Sequence, residues 1–171
     1  AVLLALRSTL LDHYSRLYLA AGYHVLAETP GGEDPGALES LAELGSQNSA
    51  RFMVATQMRF SEGATRFRER FLALVEELGP PVSIRMVANG YYWHHFNFLF
   101  GLWDRPISAI AGRGHVKANT VGIQYKGVGT TATIDSTTLP RECFRGEESI
   151  EAHCGIGAIR LVGMNRLEDS F

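Results

Sequence analysis

Apolar residues follow two different rhythms along this chain, and the change comes after residue 57. Val2 to Leu6 is an unbroken apolar run, which predicts a strand buried on both faces, as in a parallel sheet. Leu10, Tyr14, Leu17 and Ala21 then fall at i, i+4, i+7 and i+11, a helical stripe. Ser8 or Thr9 is placed to cap that helix, with Asp12 at capping-box spacing from Thr9, and Gly22 ends it. Tyr23 to Ala27 reads as a second strand and Pro30-Gly31-Gly32 as a turn. Asp34 caps a second helix that has Pro35 at its first position and Leu38, Leu41, Ala42 and Leu44 on its inner face. Phe52 to Thr56 is a third strand. This alternation predicts parallel strands joined by right-handed crossovers.

Ser61 then caps a longer helix in which Ala64, Phe67, Phe71, Leu74, Val75 and Leu78 keep the helical period. The charged residues Arg66, Arg68, Glu69, Arg70, Glu76 and Glu77 fall mostly outside that stripe, and Gly79-Pro80-Pro81 stops the helix. Val82 to Ala88 is strand-like, 93–103 is a short aromatic helix, and Arg105-Pro106 breaks it. Beyond it, Thr, Val, Ile and Gly dominate, with strands predicted at 107–113, 119–126, 129–136, 148–153 and 156–163. Close spacing with glycine turns predicts an antiparallel or mixed sheet. The expected class is therefore α/β (α+β): a partial parallel, Rossmann-like half over 1–58, then an open, mostly antiparallel sheet with helices on one face over 59–171.

Composition narrows the functions. Hydrophobic residues make up 46% of the 171 and charged residues 20%, enough for a packed core. A formal net charge of -2 gives no electrostatic case for nucleic acid or an anionic membrane. The apolar runs are short of the roughly 20 residues of a membrane helix. The opening residues have neither basic lead-in nor small-residue cleavage site, which argues against a signal peptide and for the cytoplasm. The missing initiator Met suggests a processed, excised or incomplete chain. Cys143 and Cys154 lack C-x-x-C spacing, so zinc and thioredoxin-like chemistry are weak readings; two inert thiols are expected, a disulfide between neighbouring strands being the alternative.

Four segments carry a family resemblance. "LAAGYHVLAETP" (19–30) resembles a strand ending in a Glu-Lys-Pro motif. "RFMVATQMRFSEGATRFRE" (51–69) resembles the strand and helix that cross from a nucleotide domain to a substrate domain. "LGPPVSIRM" (78–86) resembles the first strand of a large C-terminal sheet, and "HHFNFLFGLWDRPISAIAG" (94–112) a His-bearing helix with its following strand. Together they resemble the glucose–fructose oxidoreductase and inositol dehydrogenase (Gfo/Idh/MocA) family, in its C-terminal part. The resemblance implies an NAD- or NADP-dependent oxidoreductase of a small polar, sugar-like substrate.

The departures are as informative. The family's G-x-G-x-x-G turn, whose glycines let peptide N–H groups approach a pyrophosphate, has no counterpart before Glu28-Thr29-Pro30. Gly155-Ile156-Gly157 mimics it only partly and reads as a flexible or bulged strand. Thr29 stands where the family has Lys, Gly90 where it often has Asp, and Asn97 where a second Asp usually sits. His94 matches the family's His and is the expected catalytic acid or base, against a silent, hydrogen-bonded His. Tyr91, Tyr92, Trp93, His95, Asn97 and Arg85 are candidate substrate contacts. For these the competing accounts are core packing, a structural role for His95, and solvated strand ends for Arg85 and Lys117. Ser8, Thr9, Glu28, Thr29 and Pro30 would touch a coenzyme only if a nucleotide half were supplied. No metal site is expected. His153 and Cys154 are strand neighbours and point to opposite faces, so they form no direct dyad.

Three functions stay open: a divergent or truncated oxidoreductase, a cofactor-independent isomerase, cyclase or lyase using His94, and a non-catalytic assembly subunit. The first would need the coenzyme of its full-length relatives and the second none. The Val2–Leu6 strand would expose an edge and apolar faces, so a homo-oligomer, or another covering segment, is expected.

Overall fold

The structure, a computed structural model, describes residues 1–32, 34–89, 93–115, 118–137, 148–163 and 166–170. The chain divides into two compact units, Ala1–Thr56 and Gln57–Phe171.

The first unit is β1 (Val2–Leu4), α1 (Ser8–Ala20), β2 (Val25–Ala27), α2 (Pro35–Gln47) and β3 (Phe52–Val54). The strands are parallel in the order β1-β2-β3. Two right-handed crossovers stepping the same way leave both helices on one face of the sheet. Leu4, Val25 and Ala27 pack there against Leu11 and Leu19 of α1 and Leu41 of α2. The other face carries Leu3, Leu26 and Met53, aligned across the three strands and 69%, 37% and 53% exposed. The expectation that β1 is buried on both faces is thus corrected: one of its faces is open.

The α1 stripe is corrected as well. Leu11, Ser15 and Leu19 face the sheet, whereas Leu10, Tyr14 and Leu17 are 45%, 38% and 56% exposed. Neither Ser8 nor Thr9 caps α1. The cap position is Arg7, with no side-chain hydrogen bond, so Ser8 and Thr9 are its first two residues. In α2, the Ala37 amide does donate to Asp34 Oδ1 at 2.8 Å, with Pro35 leading the helix. Ala42 is exposed there, and Gly45 takes the inward place.

The second unit opens with a 3-10 turn at Met58–Phe60 and α3 (Glu62–Leu78), whose Ala64 amide donates to Ser61 Oγ at 3.3 Å. Gly79 ends α3 at φ 86°, a conformation open to glycine. Then come β4 (Ser83–Asn89), α4 (Trp93–Leu102), β5 (Ile107–His115), β6 (Ala118–Tyr125), β7 (Thr131–Thr137), β8 (Ser149–Cys154), β9 (Gly157–Val162) and β10 (Arg166–Ser170). They form a seven-stranded sheet in the order β10-β9-β8-β4-β7-β6-β5, antiparallel except for β4 beside β7. Phe67, Phe71 and Leu74 of α3 and Phe98, Leu99 and Leu102 of α4 meet Ile84, Met86, Ile134, Ile150 and Leu161 of the sheet in one core.

Gly155 and Ile156 are the two-residue loop of the β8–β9 hairpin, with Gly155 at φ 59°. The glycine pair that partly mimics a phosphate fingerprint is therefore a hairpin turn, which corrects the expectation of a flexible or bulged strand. No helix among the described residues is long and apolar enough to cross a membrane.

Candidate functional site

Helix α4 has two working faces. His95, Phe98, Leu99 and Leu102 recur at i, i+3, i+4 and i+7 and are buried. His95 is a core-facing residue, 6% exposed, and stands about 100° round the helix from His94. The second stripe runs His94, Asn97, Phe98 and Gly101. His94 and Asn97 are half-buried. His94 Nδ1 and Asn97 Oδ1 are buried atoms without a hydrogen-bond partner among the described residues. Leaving a buried polar atom without a partner costs about 1–3 kcal/mol.

The C-terminal end of the same stripe borders a groove of about 410 Å³, with Phe98 and Gly101 on α4, Arg59 and Phe60 on the 3-10 turn, and Thr65, Arg68 and Glu69 on α3. The Arg68 Nε–H donates to the Gly101 carbonyl at 2.8 Å, at the negative end of the α4 dipole. The Arg59 guanidinium lies 4.6 Å from the Phe60 ring centre. Sequence reasoning did not single these residues out. Arg68 read as one outward charge among several, and nothing local marks Arg59.

Arg85 does not join this site. Its strand neighbours Ile84 and Met86 are in the core under the helices, so Arg85 points to the opposite face of the sheet. There its Nε–H donates to Asp135 Oδ2 at 3.0 Å, and the Thr120 hydroxyl donates to Asp135 Oδ1. Tyr91, Tyr92 and Lys117 lie outside the described residues, as does Cys143. Trp93 begins α4. Cys154 is a free, buried thiol whose pKa is raised by burial, and His153 is exposed beside it, 3.3 Å from Glu151. Among the described residues no three His, Cys, Asp or Glu side chains gather as a metal site would require.

In the first unit, Ser8 and Thr9 line a hollow of about 470 Å³ between the N-terminal turns of α1 and α2, with Asp12, paired to Arg16 at 2.8 Å, and Asp34. Glu28 is turned onto its neighbour: the Thr29 amide and hydroxyl both donate to Glu28 Oε1 at 2.9 Å. The Thr29–Pro30 peptide is cis. The loop from β1 to α1 is Ala5-Leu6-Arg7, without the glycine that would let amides close on a pyrophosphate. The residues present do not fit a complete dinucleotide.

These two units together define a chain with the fold of dehydrogenases built from a parallel α/β unit and an open-sheet unit. No protein-family model and no curated protein matches the sequence. Solved structures do match in fold. The WlbA dehydrogenase from Bordetella pertussis, crystallised with NADH and UDP-GlcNAcA, superposes with a TM-score of 0.84 at 16% identity, over 99% of this chain and 58% of its own. A probable dehydrogenase from Thermotoga maritima gives 0.82 at 16% identity, over 95% of this chain and 57% of its own. UDP-N-acetylglucosamine 3-dehydrogenase GnnA from Acidithiobacillus ferrooxidans gives 0.77 at 12% identity, over 99% and 62%. The chain thus spans under two thirds of the length of these neighbours, and the likeness establishes the fold.

Proposed function

We propose that this chain is the substrate-side part of an NAD(P)-dependent oxidoreductase acting on a small, polar, sugar-like substrate. The observation that carries the reading is the α4 stripe, where His94 Nδ1 and Asn97 Oδ1 are buried with no hydrogen-bond partner among the described residues, on a fold whose solved neighbours include a dehydrogenase crystallised with NADH and UDP-GlcNAcA. His94 is the catalytic acid or base: it takes the proton of a substrate hydroxyl on oxidation, or returns it on reduction. Asn97 orients the substrate through a hydrogen bond to its carboxamide oxygen. Residues 1–58 are the remnant of a nucleotide-binding domain and 59–171 the substrate domain. The residues present lack the glycine turn that would anchor a coenzyme's pyrophosphate.

The cofactor-independent alternative draws on one specific observation. Thr29, where the resemblance places Lys, is hydrogen-bonded to Glu28 and carries no charge, so an isomerase or lyase would rely on His94 alone. Fluorescence titration with NADH and NADPH separates the readings when done on the chain alone and on the chain joined to a Gly-rich parallel half. The expected result is micromolar binding only in the joined protein, with His94→Ala lowering its turnover by about 10²–10⁴-fold. Turnover of a sugar substrate by the chain alone, without coenzyme, would overturn the oxidoreductase reading in favour of the alternative.

A further inference from the structure

Two guanidinium groups meet the last turn of α4, and among the described residues neither forms an ion pair with an acid. Arg68 spends its Nε–H on the Gly101 carbonyl. Arg59 lies along the same glycine, where an added Cβ would sit 3.5 Å from its Nη1 and 3.8 Å from its Cδ. Its charge rests over the Phe60 ring. Glu69 lines the groove, yet among the described residues neither arginine forms an ion pair with it or with any other carboxylate. The groove therefore keeps net positive charge, with guanidinium N–H groups left over. Phe60 is 61% exposed beside them, and buried Phe98 borders the groove.

We propose that this groove is a phosphate subsite: it binds an organic phosphate ester, with the phosphate between Arg59 and Arg68 and a ring of the ligand against Phe60. Guanidinium forks match phosphate oxygens bidentately, and a dianion offers more acceptors than a carboxylate. Gly101 is seven residues from His94 on the same stripe, roughly 10 Å along the helix. That separation exceeds a single sugar ring, so the phosphate belongs to a substituent extending away from the reacting carbon. Only this last assignment rests on the reading of His94 as the acid or base.

The test is calorimetric titration of the 171-residue chain with phenyl phosphate, inorganic phosphate and benzoate, alongside amide chemical shifts at Thr65, Arg68 and Gly101. Phenyl phosphate is expected to bind several-fold tighter than the other two probes and to shift Gly101. Arg59→Gln should weaken it about tenfold, and Phe60→Ala should erase the advantage of the phenyl ring, both with unchanged unfolding temperature. Equal affinity in Arg59→Gln and the parent would overturn the subsite, as would tighter binding of benzoate than of phenyl phosphate. His94→Ala is expected to keep phenyl phosphate binding. The subsite and the catalytic role of His94 therefore fail separately.

Discussion

Tyr125 shows how one side chain ties the sheet to the candidate helix. It is buried, its hydroxyl donates to the Leu99 carbonyl of α4 at 2.9 Å, and its ring packs 5.3 Å from that of Trp103. Burial pushes its pKa from 10.0 up to about 12. A raised pKa means that above pH 10 the unfolded chain has lost a proton that the folded chain still holds, so stability falls as pH rises. The contribution is complete below pH 10 and lost through about pH 12. Thermal unfolding followed from pH 8 to 12 should show this alkaline loss. Tyr125→Phe should flatten it while costing about 1 kcal/mol at neutral pH for the missing hydrogen bond. An unchanged alkaline slope in Tyr125→Phe would remove this account of the residue.

At the scale of elements, α1 is the clearest case of a helix whose existence is written in its period while its orientation is not. Leu10-Tyr14-Leu17 and Leu11-Ser15-Leu19 both fit 3.6 residues per turn, and the sheet takes the second set. Leu11→Ala should therefore cost about 2–5 kcal/mol, and Leu17→Ala should stay within about 0.5 kcal/mol. Urea denaturation read on the first unit checks the pair, and a Leu17→Ala cost equal to that of Leu11→Ala would refute the assigned face. In the second unit, Ser61, Phe67, Phe71 and Leu74 place α3 as their spacing predicts. β10 escaped sequence reading because Arg166 to Ser170 is a polar edge strand with little alternation. It is recognisable only through its antiparallel register with β9.

For the whole molecule, the feature expected to govern behaviour in solution is the open face of the first sheet. Leu3, Leu26 and Met53 form an aligned apolar row of the kind that parallel sheets normally cover. β1 pairs only with β2, leaving an unpaired strand edge beside that row among the described residues. The chain alone is therefore expected to self-associate at micromolar concentration. Replacing Leu3, Leu26 and Met53 with Thr should shift light scattering toward the monomer mass, since Thr keeps strand propensity while removing apolar surface. A parent chain that is already monomeric would contradict this expectation.

The sequence by itself determined the order of elements as far as β9, the caps at Asp34 and Ser61, the stop at Gly79 and the change from parallel to mixed sheet. Each of these depends on neighbours a few residues apart, within reach of period, propensity and turn chemistry. It also determined that no phosphate turn stands between the first strand and the first helix. Tertiary structure decided what long-range packing controls. It chose which stripe of α1 faces the sheet, sent Arg85 to the far face with Asp135, and turned His95 into the core beside a half-buried His94. It also brought Arg59, Arg68 and Gly101, distant in sequence, around a single groove. Period gives a side chain its angle about its own axis, but only the packed neighbours say what lies in that direction.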